Sequence, residues 1–391
     1  MNETSLHQLL IKSSKIVLEK EPFGGCMSPG HNGLYNDPET PVRNSGHWLI
    51  TFSKCYELTG DIKYKNKVLE IAEYLSSKKA RPYGFSFYHR EKKGKDRCNG
   101  LMGQAWTIES LVKATEVLGD EKYRKLAAEV FNQHPFNHEY GLWHRLEVDG
   151  KVLSMDETFN HQLWFAAAGS LLGEKYPGIM DKVNFFMEKL DKNLIILNNG
   201  LIHHHIETLR QSLAANNKND TLLLKLSKLR YNSILQKIPV FGMDINSRIQ
   251  KQLIKSIGYH SFNMYAFALL YQNIPGNKFW DSKKFKPTLN YMLTDEYIKK
   301  LEDNKYGYPY NPPGFEVPFA LFVLSEMNKS EYIKLANWWT NKQFNKCYNG
   351  KTGLMDRNTY DPLTHTARIY EISRLPNHIL KQIEIKDYNE N

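Results

Sequence analysis

The chain has 391 residues, of which 41% are hydrophobic and 13% aromatic, enough for a large core and unlike a disordered or low-complexity sequence. Its 52 Lys and Arg outweigh 42 Asp and Glu to give a formal net charge of +10. The lysines are scattered among acids, as at Lys63, Lys65 and Lys67, with no zinc-finger or RNA-binding pattern, so no nucleic-acid partner is expected and a basic surface suited to an anionic substrate is.

A first amphipathic helix is expected over about 5–19, with Leu6, Leu9, Leu10, Ile16 and Leu18 apolar. A long loop follows, rich in turn formers yet carrying Asp37, Glu39 and Arg43, and this density of polar groups suits a functional rim. It hands over to a core helix at Gly46-His47-Trp48-Leu49. The Thr59-Gly60-Asp61 turn then leads to an outer helix with Val68, Ile71, Ala72 and Leu75 on one face.

The same sequence of events recurs. Core helices start at Gly103-Gln104-Ala105-Trp106, His161-Gln162-Leu163-Trp164, Tyr259-His260, Gly314-Phe315-Glu316 and Leu363, most of them about fifty to sixty residues apart. Before them lie long connections marked by Gly33, Gly84, Gly141-Leu-Trp143-His144-Arg145, Gly200-Leu-Ile-His203, Gly307 and Gly353. Short extended pieces are expected there, presenting polar side chains on one side. The register breaks once, at 207–251, which reads as a helical insertion covering one edge. Six helix pairs with the long loops on one face make a single all-α domain over 1–391, the layout of an (α/α)6 barrel.

Ser154-Met-Asp156-Glu157-Thr-Phe-Asn160-His161 runs two acids into an apolar helix. Such acids are favoured at the positive end of the helix dipole, where they serve as caps or as ionised catalytic groups. Two segments here resemble the unsaturated glucuronyl hydrolases. Asn99-Gly-Leu-Met102-Gly-Gln104-Ala-Trp106 is similar to that family's R-G-Q-A-W stretch, with Met102 in place of the Arg. Asp156-Glu-Thr-Phe-Asn160 is similar to its D-x-M-M-N segment, although the two motifs occur in the opposite order. The resemblance implies a six-hairpin glycosidase barrel with Asp156 as general acid and base. The chain also resembles proteins encoded among surface-glycan assembly genes.

Ordinary glycoside cleavage needs two carboxyl groups, one from Asp156 or Glu157 and the second drawn from Asp37, Glu39, Glu316, Asp361 or Asp96. In the unsaturated uronide reaction that the resemblance implies, one Asp suffices. Epimerisation instead needs bases on both faces of a sugar carbon, for which His144, His161, His203, His204, His205, His260 and Tyr265 are candidates. Arg43, Arg145 and Arg368 are anion clamps, Trp48, Trp106, Trp143 and Trp164 stacking surfaces, and His47, Gln104 and Asn311 further binding groups. The leading expectation is a glycoside hydrolase for an acidic or N-acetylated glycan. An epimerase or lyase on the same barrel, or a helical ring that binds glycan or protein without turnover, is the alternative. Neither a cofactor nor a metal is expected, since adjacent residues of His203-His204-His205 would point to opposite sides of an extended segment. Cys26, Cys55, Cys98 and Cys347 form no C-x-x-C pair and read as free thiols. The N-terminus lacks signal-peptide features and no apolar run approaches a membrane span of about 18 residues, so cytoplasmic residence is expected.

Overall fold

The computed structural model describes residues 4–20, 25–206 and 243–386. Most of the expected insertion at 207–251 lies outside the described residues. Helices dominate: α1 (Leu6–Lys20), α2 (Val42–Thr59), α3 (Ile62–Ser76), α4 (Gly100–Leu118), α5 (Lys122–Gln133), α6 (Phe159–Ser170), α7 (Pro177–Glu188) and α8 (Leu190–Asn193) come before that segment. After it come α9 (Met243–Gly258), α10 (His260–Asn273), α11 (Phe285–Tyr291), α12 (Asp295–Leu301), α13 (Pro313–Leu324), α14 (Lys329–Cys347), α15 (Pro362–Ala367), α16 (Tyr370–Ser373) and α17 (Asn377–Leu380).

The inner ring closes on itself. Helix α2 packs on α4, α4 on α6, α6 on α10, α10 on α13, α13 on α16, and α15 with α16 returns to α2. Inner helices are apolar nearly all round, as Leu163, Trp164, Phe165, Ala166 and Ala167 of α6 show by their burial, whereas outer α3 buries one stripe formed by Val68, Ile71, Ala72 and Leu75. Outer helices α3, α5, α7 and α14 pack on α2, α4, α6 and α13. The first helix, α1, lies against α2 and α17, and a short antiparallel pair joins β1 (Thr4–Ser5) to β5 (Glu384–Ile385). The beginning of the described chain is thereby stitched to its end.

Local chemistry explains the repeated turns. Gly60 and Gly119 adopt left-handed φ values of 70° and 74° and donate to Tyr56 O and Thr115 O, which stops α2 and α4. Asp61 then accepts from Lys63 N at 3.0 Å to start α3, and Asp120 accepts from Lys122 N at 3.0 Å ahead of α5. The Gly-Asp pairs of the sequence are thus a stop followed by a start.

The long connections are held by inner-helix side chains. Gln104 accepts from Phe87 N at 2.8 Å and donates to Phe87 O at 3.1 Å, and Gln162 does the same to Trp143 at 2.9 and 2.8 Å. His260 accepts from Ile202 N at 3.2 Å in the third such connection. Among the described residues extended structure is pronounced only in the connection before α6, where β2 (Phe136–Asn137), β3 (Leu142–Leu146) and β4 (Val152–Met155) form an antiparallel sheet. Elsewhere the expected extended pieces shrink to single bridges, such as Ile196 with Ile202 and Asn349 with Leu354. Around Gly33 the chain forms a 3-10 turn instead, because Asn32 and Asn36 on either side are left-handed. Among the described residues no helix is long and apolar enough to cross a membrane.

Burial keeps several rings neutral. It pushes His89 and His365 down to about 3, and His134 and His260 to about 4. The unfolded chain takes up these protons below about pH 6.5 while the fold does not, so stability is full above that pH and is lost as pH falls toward 4. Urea unfolding at a series of pH values should show a loss on the order of 1 kcal/mol per histidine per pH unit in this window. A flat profile would contradict these neutral buried rings.

Candidate active site

The connections preceding the inner helices converge on a solvent-open bowl of about 680 Å³ at one end of the ring. At its wall stands a carboxylate–imidazole pair. Asp156 Oδ2 meets His161 Nδ1 at 2.8 Å, Oδ1 accepts from Thr158 N at 3.2 Å, and Leu101 N approaches Oδ2 at 3.4 Å. Asp156 is therefore at the mouth of α6 as anticipated, but Thr158 occupies the cap position and makes no side-chain cap bond. Burial raises the Asp156 carboxyl, yet His161, Arg145 and the Thr158 N–H more than offset this and hold it below its ordinary value. His161, Thr158 and Asn160 line the bowl, whereas Asp156 sits behind the imidazole and is not part of the lining. No hydrogen bond from His161 Nε2 to another described residue is formed, so that nitrogen is available to a ligand while Asp156 fixes the ring.

Gly100 creates room for this pair. Its φ is 58°, and a Cβ there would lie 2.6 Å from Asp156 Oδ2 and 3.1 Å from His161 Nδ1. Its N–H donates to Asp96 Oδ1 at 2.8 Å, and Asp96 also binds Arg145 Nη1 at 3.0 Å and Arg90 Nη2 at 2.9 Å.

Two guanidinium groups form the floor. Arg43 binds Glu39 Oε1 and Asn32 Oδ1 through Nη1 at 3.1 and 3.2 Å, and its Cζ stands 4.2 Å over the Trp106 ring. Arg368 reaches Glu316 Oε1 at 2.7 Å, Glu371 Oε1 at 2.5 Å and Asn311 Oδ1 at 2.6 Å. Burial raises the Glu316 and Glu371 carboxyls against the pull of Arg368. Tyr35 and Tyr259 share a 3.3 Å hydroxyl contact, and Tyr310 donates to Asn32 Oδ1 at 2.9 Å.

At the rim Asp37 is held by Lys95 Nζ at 2.7 Å and faces Arg90 Nη1 at 3.6 Å. Lys255 also lines the bowl, as does His204, whose buried Nδ1 has no hydrogen-bond partner among the described residues. Burial, assisted by Lys255, depresses His204 well below the ordinary imidazole value, so the ring is neutral. Among the described residues five cationic side chains thus line the bowl, Arg43, Arg90, Lys95, Lys255 and Arg368, against the single carboxylate of Asp37.

Of the residues singled out from sequence, Asp37, Arg43, Trp106, His161, Asn311 and Arg368 line the bowl. Asp156 backs it directly. His47 lies one layer deeper, accepting from Arg43 Nε at 3.4 Å and stacked 4.3 Å from Tyr370, and Glu316 supports Arg368. The others lie elsewhere for identifiable reasons. Glu157 is exposed outside the lining, His144 Nδ1 is bonded to Leu153 O, and Arg145 is engaged by Asp96 and Ser154. Gln104 and His260 hold loop backbone, while Trp143 packs among Phe131, Phe165 and Phe186. Tyr265 donates to Glu371 O, and Asp361 accepts from Thr364 N, His31 N and Gly33 N. His203 is buried behind the lining, its Nδ1 accepting from His205 N. Sequence reasoning passed over Arg90, Lys95 and Lys255, while His204, one of the candidate bases, does line the bowl. Nothing local sets these lysines apart from the many others.

The closed double ring with its bowl at the inner-helix N-termini is an (α/α)6 barrel. It matches a heparin-specific unsaturated glucuronyl hydrolase at a TM-score of 0.58 with 16% identity, covering 96% of each chain. It also matches the cellobiose 2-epimerase of Bacillus thermoamylovorans at 0.61 with 10% identity, over 93% of this chain and 98% of that one. No protein-family model matches the sequence. Archaeal glycosylation protein Q of Haloferax volcanii is 39% identical over 373 residues, covering 95% of this chain and 98% of the relative. The chain belongs to the family of archaeal glycosylation protein Q.

Gly100→Ala should displace the Asp156–His161 pair, whereas Gly119→Ala, at a similar φ with nothing within 4 Å, imposes backbone strain alone. Thermal unfolding should show Gly100→Ala the more damaging, by roughly 1–3 kcal/mol in total. Equal effects of the two substitutions would refute the close fit around the pair.

Proposed function

We propose that the protein is an acid–base enzyme that epimerises a sugar acid within a glycan under assembly. One observation carries this reading: the Asp156–His161 pair faces a bowl whose described lining sets five cations against one carboxylate. A carbon next to a carboxylate loses its proton more readily when cations stabilise the charge that develops there. In this reading His161 Nε2 takes the proton, ionised Asp156 steadies the resulting imidazolium, and the cationic lining holds the substrate carboxylate. In this reading a proton returned to the opposite face from the Tyr35–Tyr259 hydroxyl pair, which lines the bowl, inverts the centre, and exchange with solvent then restores His161 and the hydroxyl. The family relationship to a glycosylation protein supports a glycan context, with residence in the cytoplasm as part of the same proposal.

Hydrolysis is the second reading, favoured by Asn160, which lines the bowl four residues after Asp156 as in the hydrolase-like segment. Two-carboxylate cleavage has less support. Asp37 is tied to Lys95, while Glu39, Glu316 and Glu371 are tied to buried guanidinium groups.

Incubation with uronate-containing oligosaccharides in deuterated water distinguishes the two. Epimerisation puts deuterium on the carbon bearing the carboxylate without releasing reducing ends, and His161→Gln should slow it about 10²- to 10⁴-fold while leaving the circular dichroism spectrum unchanged. Release of reducing ends with no deuterium on that carbon would replace epimerisation by hydrolysis.

A further inference from the structure

The five cations of the bowl are not equivalent. Arg43 is balanced by Glu39, Arg368 by Glu316 and Glu371, and Arg90 and Lys95 by Asp37, with Asp96 also on Arg90. Lys255 has no carboxylate partner among the described residues. Its ammonium is held by aromatic faces instead, 5.6 Å from the Tyr35 ring centre and 5.8 Å from that of Tyr259. Lys95 Nζ stands 5.7 Å from the same Tyr35 ring. Two ammonium groups therefore stand near one tyrosine ring on the bowl wall, and the Asp37 carboxylate pairs with Lys95, not with Lys255. Burial and the proximity of Lys95 lower the Lys255 ammonium to about 8, as expected of a cation lacking a local counter-charge.

We infer that Lys255, with Lys95 near the same Tyr35 ring, is the seat of the substrate's carboxylate and the residue that selects an acidic sugar over its neutral counterpart. This rests on the sugar-acid reading above and assigns the recognition to a particular side chain. The deep guanidinium groups are poorer candidates, because their donors are largely spent on buried carboxylates and on Asn32 and Asn311. An incoming carboxylate at Lys255 gains a charge partner without displacing one. At Arg43 or Arg368 it would compete with an acid already in place. His204 and Tyr259 adjoin the seat, their rings 5.0 Å apart, so a sugar anchored at Lys255 lies beside the neutral imidazole.

Isothermal titration of the full chain with methyl glucuronide, methyl glucoside and inorganic phosphate tests this. The wild type should bind the glucuronide at least about tenfold tighter than the glucoside, a ratio worth about 1.4 kcal/mol. Lys255→Met should bring that ratio to within about threefold by weakening the glucuronide alone, and Lys255→Arg should retain most of it. Unaltered glucoside binding and circular dichroism show that Lys255→Met remains folded. A ratio preserved in Lys255→Met would overturn the seat and move recognition to the guanidinium floor. Equal binding of both glycosides by the wild type, or binding of neither, would instead overturn the sugar-acid reading and the seat with it. Phosphate binding tighter than the glucuronide would overturn the assignment in favour of a phosphorylated ligand.

Discussion

A guanidinium group buried inside a ring of helices must be matched by carboxylate, and Arg43 and Arg368 impose that condition where the last inner helices meet the first. Three acids, Glu39, Glu316 and Glu371, meet it from one loop and two inner helices. The consequence for chemistry is direct. Acids that could have flanked a glycosidic bond are committed below the bowl, and the surface above is left rich in cations, hydroxyls and imidazoles. Removing one partner would strand a buried charge, so the floor is expected to be rigid and the seam between α2 and α16 to depend on it.

Much of the architecture was legible because it rests on local rules. The Gly-Asp turns after α2 and α4 mark where one helix stops and the next begins, and the apolar runs of the inner helices mark burial on every side. Asp156 and His161 were legible for the same reason, being five residues apart across a helix start. The pairing of Arg368 with Glu316 was not, since it spans 52 residues and depends on how neighbouring inner helices meet. Lys95 and Lys255 were hidden by their company, because a lysine in a basic chain acquires meaning only from its surroundings.

Several conspicuous polar residues proved to hold the frame. Gln104 and Gln162 each grip both backbone atoms of a loop residue, Phe87 and Trp143, and His260 grips Ile202. A polar side chain near the start of a core helix looks like a ligand contact in sequence, yet loop backbone brought against that helix needs partners just as a substrate does. The same residue types serve both ends, and only the three-dimensional register separates them. Trp143 illustrates the parallel case for aromatics, being surrounded by phenylalanines instead of facing the bowl.

The small ladder between Thr4 and Ile385 brings the first and last described segments side by side. A circle closed in this way has no privileged first member. Joining those strands covalently and opening a tight bend such as that at Gly119 would thread the same hairpins in the same cyclic succession.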